Sequence, residues 1–331
     1  MTLAQARDEA RRRRFDLLDG VDPQAARRAA RETAARRITT SALVDAYLDH
    51  LKRSGKRTWR EDERYLSRTL TGPVGDVPAA EIGREVIHAA MRVYLDEAKP
   101  VAANRCRAHL HALFQWALRE GHVDRNPVAG VSRAVKERPR SRWLTTEELV
   151  RLWTGLDETP TTETVRIVIR LLLLTGCRRQ EVALARWPEI DLDAREWTIG
   201  PHRMKGQSAH WVPLSTQAVA LLERARELSP GTDYVFGSDR ADGPLRPASV
   251  TRAITRSAPV LGIEHFSPHD LRRTAATHWQ RLGYPPHLIA ALLAHTRRDL
   301  TTTVYAIHHY RDERREALQA WGDFLEGWGD E

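Results

Sequence analysis

The strongest constraint on this chain is a short apolar run, Ile167 to Leu174, interrupted only by Arg170. Such a run has to be buried, yet it is far shorter than the ~20 apolar residues that span a bilayer. We therefore predict a core helix over residues 163–174 that ends at Thr175-Gly176, because glycine readily takes the left-handed conformation that closes a helix. A chain of 331 residues with 41% hydrophobic content has room for two domains, one of them built around this helix.

The first half of the chain has helical periodicity throughout. Apolar residues recur at helix spacing near 43–55, 58–70, 83–97 and 101–120, which predicts a bundle of four helices within 39–130. Residues 1–38 are rich in Ala and Arg and predict a basic helical arm. Residues 131–143 are basic and broken by Pro139, so we expect a linker there, followed by a second domain over 144–331 that ends in a helical tail.

The second domain mixes helices with short strands. Thr145 and Glu148 have the spacing of a capping box that opens a helix. Alternating apolar residues predict strands at 196–199 and 210–214, and a short apolar run predicts another at 234–236. Helices are predicted near 179–185, 215–228 and 248–260. The fold class is therefore mainly α with a small antiparallel β-sheet.

The charge of the chain favours a polyanionic partner. The net charge is +8 and the isoelectric point is about 9.8. Arginine dominates, and its planar fork suits bidentate phosphate contacts, although a GC-rich genome would also favour arginine codons. The two cysteines, Cys106 and Cys177, form neither a metal-ligand pair nor a disulfide framework. With no secretory signal and no membrane span, a reducing cytoplasm is the expected location.

The stretch Ser267 to Tyr310 concentrates reactive side chains. Ser267 and Pro268 are suited to the start of a helix, which would place His269 and Arg272 on one face of its first turn. A helix start attracts phosphate, because its N–H groups are unpaired and carry partial positive charge. A capped amphipathic helix whose polar residues simply face water would have the same sequence pattern and is the alternative.

Two further stretches carry candidate groups. Arg178 and Glu181 follow Gly176, so this arginine would be anchored by the core helix and able to hold a phosphate. A surface ion pair between the two is the alternative. Lys205 lies between the two predicted strands and can give up its proton, which arginine cannot, so it is a candidate general acid. A solvated turn lysine is the alternative.

These motifs together resemble a known family. TGCRRQE, RMK followed by VPLS, HDLRRT, LAH and TTTVY occur in this order. The combination resembles the tyrosine recombinases, specifically the phage-type integrases, over residues 39–331. The resemblance implies a helical core-binding, SAM-like DNA-binding domain and a mixed α/β catalytic domain that close around DNA as a C-shaped clamp.

The resemblance also implies a role for each matching residue. Tyr305 matches the nucleophile, and Arg178 and Arg272 match the arginines that hold the scissile phosphate. His269 and His295 match the histidines that contact the phosphate. Two further matches are Lys205, whose implied role is general acid, and Glu181, whose implied role is acidic support.

The implied activity is site-specific DNA recombination through a 3′-phosphotyrosyl intermediate, without metal, ATP or cofactor. The implied partners are double-stranded DNA at attachment or core sites, three further copies of the chain in a tetramer on two duplexes, and accessory DNA-bending and directionality proteins. The implied location is the cytoplasm, in association with the bacterial nucleoid. No membrane partner is expected. A type IB topoisomerase-like enzyme, a catalytically silent sequence-specific DNA-binding protein and, more weakly, a metal-dependent nuclease are the alternatives.

Two departures from the family pattern leave alternatives open. Residues 1–38 resemble only the end of an arm-binding domain, without the preceding sheet. The spacing from His295 to Tyr305 is one residue longer than usual, which makes Tyr310 a rival nucleophile.

The acidic tail, with Trp321 and Trp328 at helix-like spacing, could dock on a neighbouring subunit or on its own domain.

Overall fold

The chain forms two compact units that divide between Pro139 and Arg140. The computed structural model describes residues 38–137, 141–204, 208–229, 231–238, 241–294 and 310–327. We call the part before the division the helical unit and the part after it the mixed unit. No helix of the described ranges is both long enough and apolar enough to cross a membrane.

The helical unit contains the four predicted helices. They are α1 (Thr40–Arg53), α2 (Trp59–Leu66), α3 (Arg84–Leu95) and α4 (Pro100–Arg119). A π-helical turn at Ser67–Thr71 and a short α-turn at Gly72–Val74 extend α2, and a 3-10 turn lies at Ala79–Glu81. Apolar faces from all four helices meet in one core, whose largest fully buried members include Leu43, Leu66, Ile87, Leu110 and Phe114.

The chain after α4 packs against the helical unit. The Asn104 side chain accepts a hydrogen bond from the Ala134 N–H at 2.7 Å and donates one to the Val135 carbonyl at 2.8 Å. Val131 is buried in the same core. The first residues of the predicted linker therefore run along α4, because a buried asparagine supplies both a donor and an acceptor to their backbone.

The mixed unit has eight helices among its described residues. They are α5 (Thr146–Gly155), α6 (Glu163–Thr175), α7 (Arg179–Ala183), α8 (Thr216–Leu228), α9 (Pro247–Val260), α10 (Pro268–Arg281), α11 (Pro286–Leu292) and α12 (Arg311–Glu326). Short 3-10 turns lie at Leu156–Glu158, Trp187–Glu189 and Pro201–Arg203. The capping box of Thr145 and Glu148 opens α5 as predicted.

Helix α6 is the centre of the mixed unit. The apolar residues of the run 167–174 are all buried and belong to one core with residues of α8, α10 and α12. Arg170 remains at the margin, where its guanidinium pairs with Asp157 at 2.6 Å and lies over the Trp153 ring. The charge in the run is therefore compatible with burial of its neighbours, because the long arginine side chain reaches the surface.

A small antiparallel sheet completes this unit. Strands β1 (Ile190–Asp191), β2 (Glu196–Ile199) and β3 (His210–Pro213) lie in that order, with Trp197 opposite Val212. A separate hairpin pairs β4 (Gly237–Ser238) with β5 (Ala241–Pro244). The predicted fold class, mainly α with a small antiparallel sheet, is confirmed.

The predicted strand at 234–236 is wrong. Tyr234 forms only an isolated bridge with Arg186, and the Val235 N–H donates to the Ala185 carbonyl at 2.9 Å. Val235 and Phe236 are both buried in the core, and the Phe236 carbonyl accepts a hydrogen bond from the Leu245 N–H at 2.8 Å. A run of three apolar residues cannot by itself distinguish these two situations.

Candidate active site

A left-handed glycine directs the chain from the core helix into the candidate site. Gly176 has a φ of 62°, and its N–H donates to the Leu172 carbonyl at 3.1 Å. A Cβ at this position would lie 2.7 Å from the Trp279 ring of α10. Position 176 therefore needs glycine for two reasons, its backbone conformation and the close approach of the tryptophan.

The residues after this turn hold Arg178 in place. The buried Glu181 carboxylate accepts from the Arg178 backbone N–H at 2.6 Å and from its Nη1 at 2.8 Å. The Arg178 side chain nevertheless keeps 34% of its surface exposed. The ion pair between Arg178 and Glu181 is therefore present. It also holds the guanidinium in place and leaves its other N–H groups accessible to an anion, so the structure is compatible with both interpretations of the sequence.

Arg272 is buried where α10 meets two other segments. It is 3% exposed, and its Nη1 donates to the Gly176 carbonyl at 2.7 Å while its Nη2 donates to the Leu293 carbonyl. Burial lowers the pKa of this guanidinium, and the positive charge of Arg178 lowers it further. Arg272 therefore connects the turn after α6 to the end of α11 through two hydrogen bonds. Its positive charge also interacts with that of Arg178.

His269 lies one turn before Arg272. The Asp270 carboxylate accepts from both the backbone N–H and the hydroxyl of Ser267 at 2.8 Å, which fixes the start of α10. His269 itself is solvent-accessible. Partial desolvation lowers the pKa of its imidazole, and the charges of Arg273, Arg272 and Arg178 add to this effect. These surroundings favour the neutral imidazole, which has one N–H donor and one acceptor nitrogen.

The described members of the predicted set thus lie in one electropositive region. Arg178 lowers the pKa of both Arg272 and His269, although the three residues come from two different segments. Burial raises the pKa of the Cys177 thiol in this region to about 12, so it is not a nucleophile at neutral pH. Within the described ranges, no cluster of three or more His, Cys, Asp or Glu side chains has the arrangement of a metal site.

The region includes a histidine that the sequence analysis missed. His210, the first residue of β3, is 3% exposed, and its Nε2 has no hydrogen-bond partner. Burial lowers its pKa to about 3, and the charges of Arg314, Arg272 and Arg178 contribute to the lowering. The available signal was a lone polar residue at the start of an otherwise apolar strand.

The turn before Lys205 is anchored to the Arg178 segment. Arg203 donates to the Glu181 carbonyl at 2.6 Å and also to the Glu189 carboxylate. Met204 is buried in the core. Lys205, His295 and Tyr305 lie outside the described residues, so their roles stay predictions. Tyr310, the rival nucleophile, is described, and its ring packs on His287 with 5.1 Å between ring centroids.

The C-terminal helix docks on its own unit. In α12, Trp321 is fully buried, and its Nε1 donates to the Leu173 carbonyl of α6 at 2.9 Å. Gln217 of α8 donates to Asp323 at 2.9 Å and to Glu326 at 2.7 Å. The tail was expected to dock either on a neighbouring subunit or on its own domain, and up to residue 327 it packs on its own domain. Trp328 lies outside the described residues.

Comparison with known families gives two matches along the chain. The Phage integrase family matches residues 142–312, and the Phage integrase central domain matches residues 41–134. Arg178, Arg272 and His269 all fall within the first match.

Individual relatives extend over almost the whole chain. Prophage integrase IntA of Escherichia coli K12 is 28% identical over 98% of this chain and 79% of its own length. The integrase of Shigella phage Sf6 is 25% identical over 98% of this chain and 84% of its own length. Among solved structures, a lambda integrase tetramer bound to a Holliday junction has a TM-score of 0.66 at 23% identity, covering 90% of this chain and 89% of that one. This chain belongs to the phage integrase family and is a site-specific recombinase.

Proposed function

We propose that this recombinase cleaves and rejoins DNA strands through a covalent bond between Tyr305 and a 3′-phosphate. The observation that carries the proposal is that Arg272 binds the Gly176 carbonyl at 2.7 Å, two residues before Arg178, while His269 precedes Arg272 by one turn of the same helix. A phosphodiester is anionic and repels nucleophiles, and attack concentrates charge on its non-bridging oxygens. Fixed cations at those oxygens lower the barrier, because they are already oriented when the charge develops.

The contacts of the two arginines are compatible with phosphate binding. A guanidinium has five N–H groups. Arg272 uses two nitrogens to bind the carbonyls of Gly176 and Leu293, and Arg178 uses Nη1 to bind Glu181. Each guanidinium is therefore held by protein acceptors while N–H groups remain for the phosphate. Bidentate contacts of this kind fix the phosphate as well as neutralise it.

The proposed chemistry proceeds in two steps. The Tyr305 phenol passes its proton to water and its oxygen forms a bond to phosphorus, while the bond from phosphorus to the 5′ oxygen breaks. Lys205 protonates that leaving oxygen, which produces a free 5′-hydroxyl. A phenol has a pKa of about 10, so it depends on the surrounding positive field to react near neutral pH. A 5′-hydroxyl from another duplex then attacks the phosphotyrosine and gives its proton to Lys205, while the bond from phosphorus to the Tyr305 oxygen breaks and that oxygen takes a proton from water.

In this scheme His269 and His295 donate hydrogen bonds to the phosphate, and Glu181 holds Arg178. The ester energy is retained in the tyrosine link, so neither ATP nor another energy source is needed. The arginines and histidines carry out the charge stabilisation that a metal ion provides in other phosphoryl-transfer enzymes.

We extend the proposal to the partners and the domains. The substrate is double-stranded DNA, bound mainly through phosphate contacts, and the active assembly is a tetramer on two duplexes. The solved relatives include a tetramer bound to a Holliday junction and a dimer bound to a core site. The helical unit acts as the core-binding domain. The sequence of residues 1–38 resembles the end of an arm-binding domain.

The test uses a duplex with a nick close to the cleavage position, so that the short leaving strand diffuses away and the covalent adduct accumulates. We expect an adduct on denaturing gels with the wild-type protein, equally in EDTA. Tyr305→Phe abolishes the adduct and leaves DNA binding intact, whereas Tyr310→Phe, the matched control, retains it. An adduct that survives in Tyr305→Phe and disappears in Tyr310→Phe contradicts the assignment.

A further inference from the structure

Arg203 has contacts that differ from those of an ordinary surface ion pair. Its side chain is only 12% exposed. Its Nη2 donates to the Glu181 carbonyl at 2.6 Å, and its Nη1 donates to the Glu189 carboxylate. Each of the two terminal nitrogens of the planar guanidinium therefore has its own acceptor, and the two acceptors belong to different segments of the chain.

The carbonyl that Arg203 binds belongs to α7, a helix of only five residues. The last four carbonyls of a helix have no partner within the helix, so a helix this short depends on other groups to satisfy them. Arg203 supplies the donor for the Glu181 carbonyl from 22 residues further along the chain. The bond therefore fixes the backbone of α7 at Glu181.

Glu181 connects Arg203 to Arg178. Its carboxylate is buried and accepts from the Arg178 backbone N–H at 2.6 Å and from the Arg178 Nη1 at 2.8 Å. Arg203 thus binds the main chain of the residue whose side chain binds Arg178. The three residues form a continuous series of hydrogen bonds that ends at the guanidinium proposed to hold the scissile phosphate.

The Glu189 carboxylate orients the Arg203 side chain. Its Oε2 accepts from Arg203, from the Nε1 of Trp197 in β2 at 3.2 Å and from the backbone N–H of Arg186 at 3.3 Å. The Glu189 side chain is 12% exposed, and donors from three segments hold it in place. A carboxylate fixed in this way gives the Arg203 fork one preferred direction, so Nη2 stays directed at Glu181.

We propose that Arg203 is a positioning residue for strand cleavage, which sets the place of the Arg178 guanidinium through Glu181. In this role Arg203 does not touch the phosphate. The inference rests on the proposed function, because the position of Arg178 affects the rate only if Arg178 holds the scissile phosphate. A displacement of about 1 Å at a reacting centre costs about 10²-fold in rate, so loss of the Glu181 contact has a large kinetic effect.

The pair of acceptors explains why arginine suits position 203. Lysine keeps the positive charge and can still pair with Glu189, but it has one nitrogen in place of the planar fork. It cannot reproduce a contact in which two nitrogens each have their own acceptor. Arg203→Lys therefore keeps the charge of this turn and weakens the connection to Glu181.

The chain contains a matched control arginine. The side chain of Arg170 in α6 is 16% exposed, and its Nη2 donates to the Asp157 carboxylate at 2.6 Å and to the Trp153 carbonyl at 3.2 Å. Arg170 thus binds one carboxylate and one carbonyl in the same unit, as Arg203 does. Its two acceptors belong to α5 and the turn that follows it, whereas Arg203 binds α7.

The experiment compares Arg203→Lys with Arg170→Lys, and repeats Arg203→Lys in an Arg178→Lys background. The first measurement is the rate of adduct formation at saturating protein on the nicked duplex, with DNA affinity measured separately. The second is hydrogen exchange at the Arg178 amide, whose N–H binds the Glu181 carboxylate. The double-mutant cycle isolates the part of the effect of Arg203 that passes through Arg178.

We expect Arg203→Lys to form adduct about 10- to 100-fold more slowly, with DNA affinity within about twofold of wild type. Exchange at the Arg178 amide rises about tenfold, because the local structure opens more often. Arg170→Lys leaves the adduct rate within about threefold of wild type and exchange at this amide unchanged, since it loosens a different helix. In the Arg178→Lys background, Arg203→Lys slows the reaction by about threefold or less, because the guanidinium that it positions is already absent.

Equal rate losses in Arg203→Lys and Arg170→Lys overturn the inference, and so does a fully additive loss in the double variant. If Arg203→Lys does not fold, Glu189→Gln replaces it, since the amide lacks the charge that orients Arg203. An adduct rate within about twofold of wild type in Glu189→Gln then overturns the inference.

A separate outcome tests the proposed function itself. If the wild-type protein forms no adduct, the proposed function fails. Hydrogen exchange then decides on Arg203 alone, and unchanged protection of the Arg178 amide in Arg203→Lys overturns the inference.

Discussion

Arg272 donates a hydrogen bond to the carbonyl oxygen of Gly176 across 96 residues of sequence, with 2.7 Å between the two heavy atoms. One end of the bond belongs to the turn that presents Arg178, and the other to the guanidinium proposed to share the phosphate with it. The same guanidinium also binds Leu293 at the end of α11. A single side chain therefore connects three parts of the candidate site, which makes it the most informative position for mutation.

Replacing Arg272 by lysine is expected to separate the effect of its positive charge from the effect of its hydrogen-bond geometry. Lysine keeps the positive charge but lacks the planar fork, so it cannot bind Gly176, Leu293 and a phosphate together. We expect adduct formation to fall by about 10²–10³-fold and the free energy of unfolding to fall by about 1–3 kcal/mol, because a buried carbonyl loses its partner. Single-turnover cleavage and urea unfolding measure the two effects.

The neighbouring Arg273 provides the control for Arg272. Its Nη1 pairs with Asp270 at 3.1 Å, and its side chain is 33% exposed. Arg273→Lys is expected to change the cleavage rate by no more than about threefold, since lysine keeps the positive charge that pairs with Asp270. Equal rate losses in the two lysine variants would contradict the special role of Arg272.

Alanine at Gly176 is expected to destabilise the mixed unit strongly. The positive φ alone costs an L-residue about 1–2 kcal/mol, and the new Cβ would meet the Trp279 ring at 2.7 Å. Gly283 has a φ of 90° in the same unit, with open space at its Cβ position. The loss in unfolding free energy for Gly176→Ala should exceed that for Gly283→Ala by about 1–3 kcal/mol, the typical cost of overpacking. Equal losses in urea unfolding would show that the tryptophan contact is unimportant.

The buried His210 should contribute to the pH dependence of stability. Its pKa is about 3 in the folded protein, below the ordinary value of 6.5. As the pH falls from 6.5 towards 3, the unfolded chain therefore takes up a proton that the folded chain does not, and the folded state loses stability. Between pH 7 and pH 5 this group alone removes about 2 kcal/mol.

The variant His210→Asn cannot take up that proton. Its unfolding free energy should therefore fall less than that of the wild-type protein over the same pH range, as measured by urea unfolding at pH 7, 6 and 5. His269 and His278 also have lowered pKa values and remain in both proteins, so their contributions cancel in the comparison. Parallel pH profiles would contradict a neutral buried His210.

The docking of α12 on its own unit makes a prediction about Trp321. Trp321→Ala removes a fully buried ring and should lower the unfolding free energy by about 3–5 kcal/mol. Trp321→Phe keeps most of the ring but leaves the Leu173 carbonyl without its donor, at a cost of about 1–2 kcal/mol. Because the contact is within one chain, both losses should be independent of protein concentration. A loss that grows on dilution would indicate docking between chains.

Much of the local structure follows from residues close together in sequence. The run 167–174 predicts α6 and its burial, Thr145 and Glu148 predict the start of α5, and Ser267-Pro268 predicts the start of α10. Helical periodicity and capping involve residues about three or four apart, so the sequence contains all the partners. The strand predicted at 234–236 failed because its apolar residues enter the core without a neighbouring strand.

The sequence by itself determined the mainly helical fold, the presence of a small sheet and the family motifs with Arg178, His269 and Arg272. Only the tertiary structure decided that Arg272 would be buried against two carbonyls and that His210 would be buried. These contacts join segments that are far apart in the chain and meet only because α6, α10, α11 and β3 pack in one core. No local sequence pattern identifies such distant contacts. A histidine at the start of a strand, for example, is compatible with a buried position and with a position that faces water.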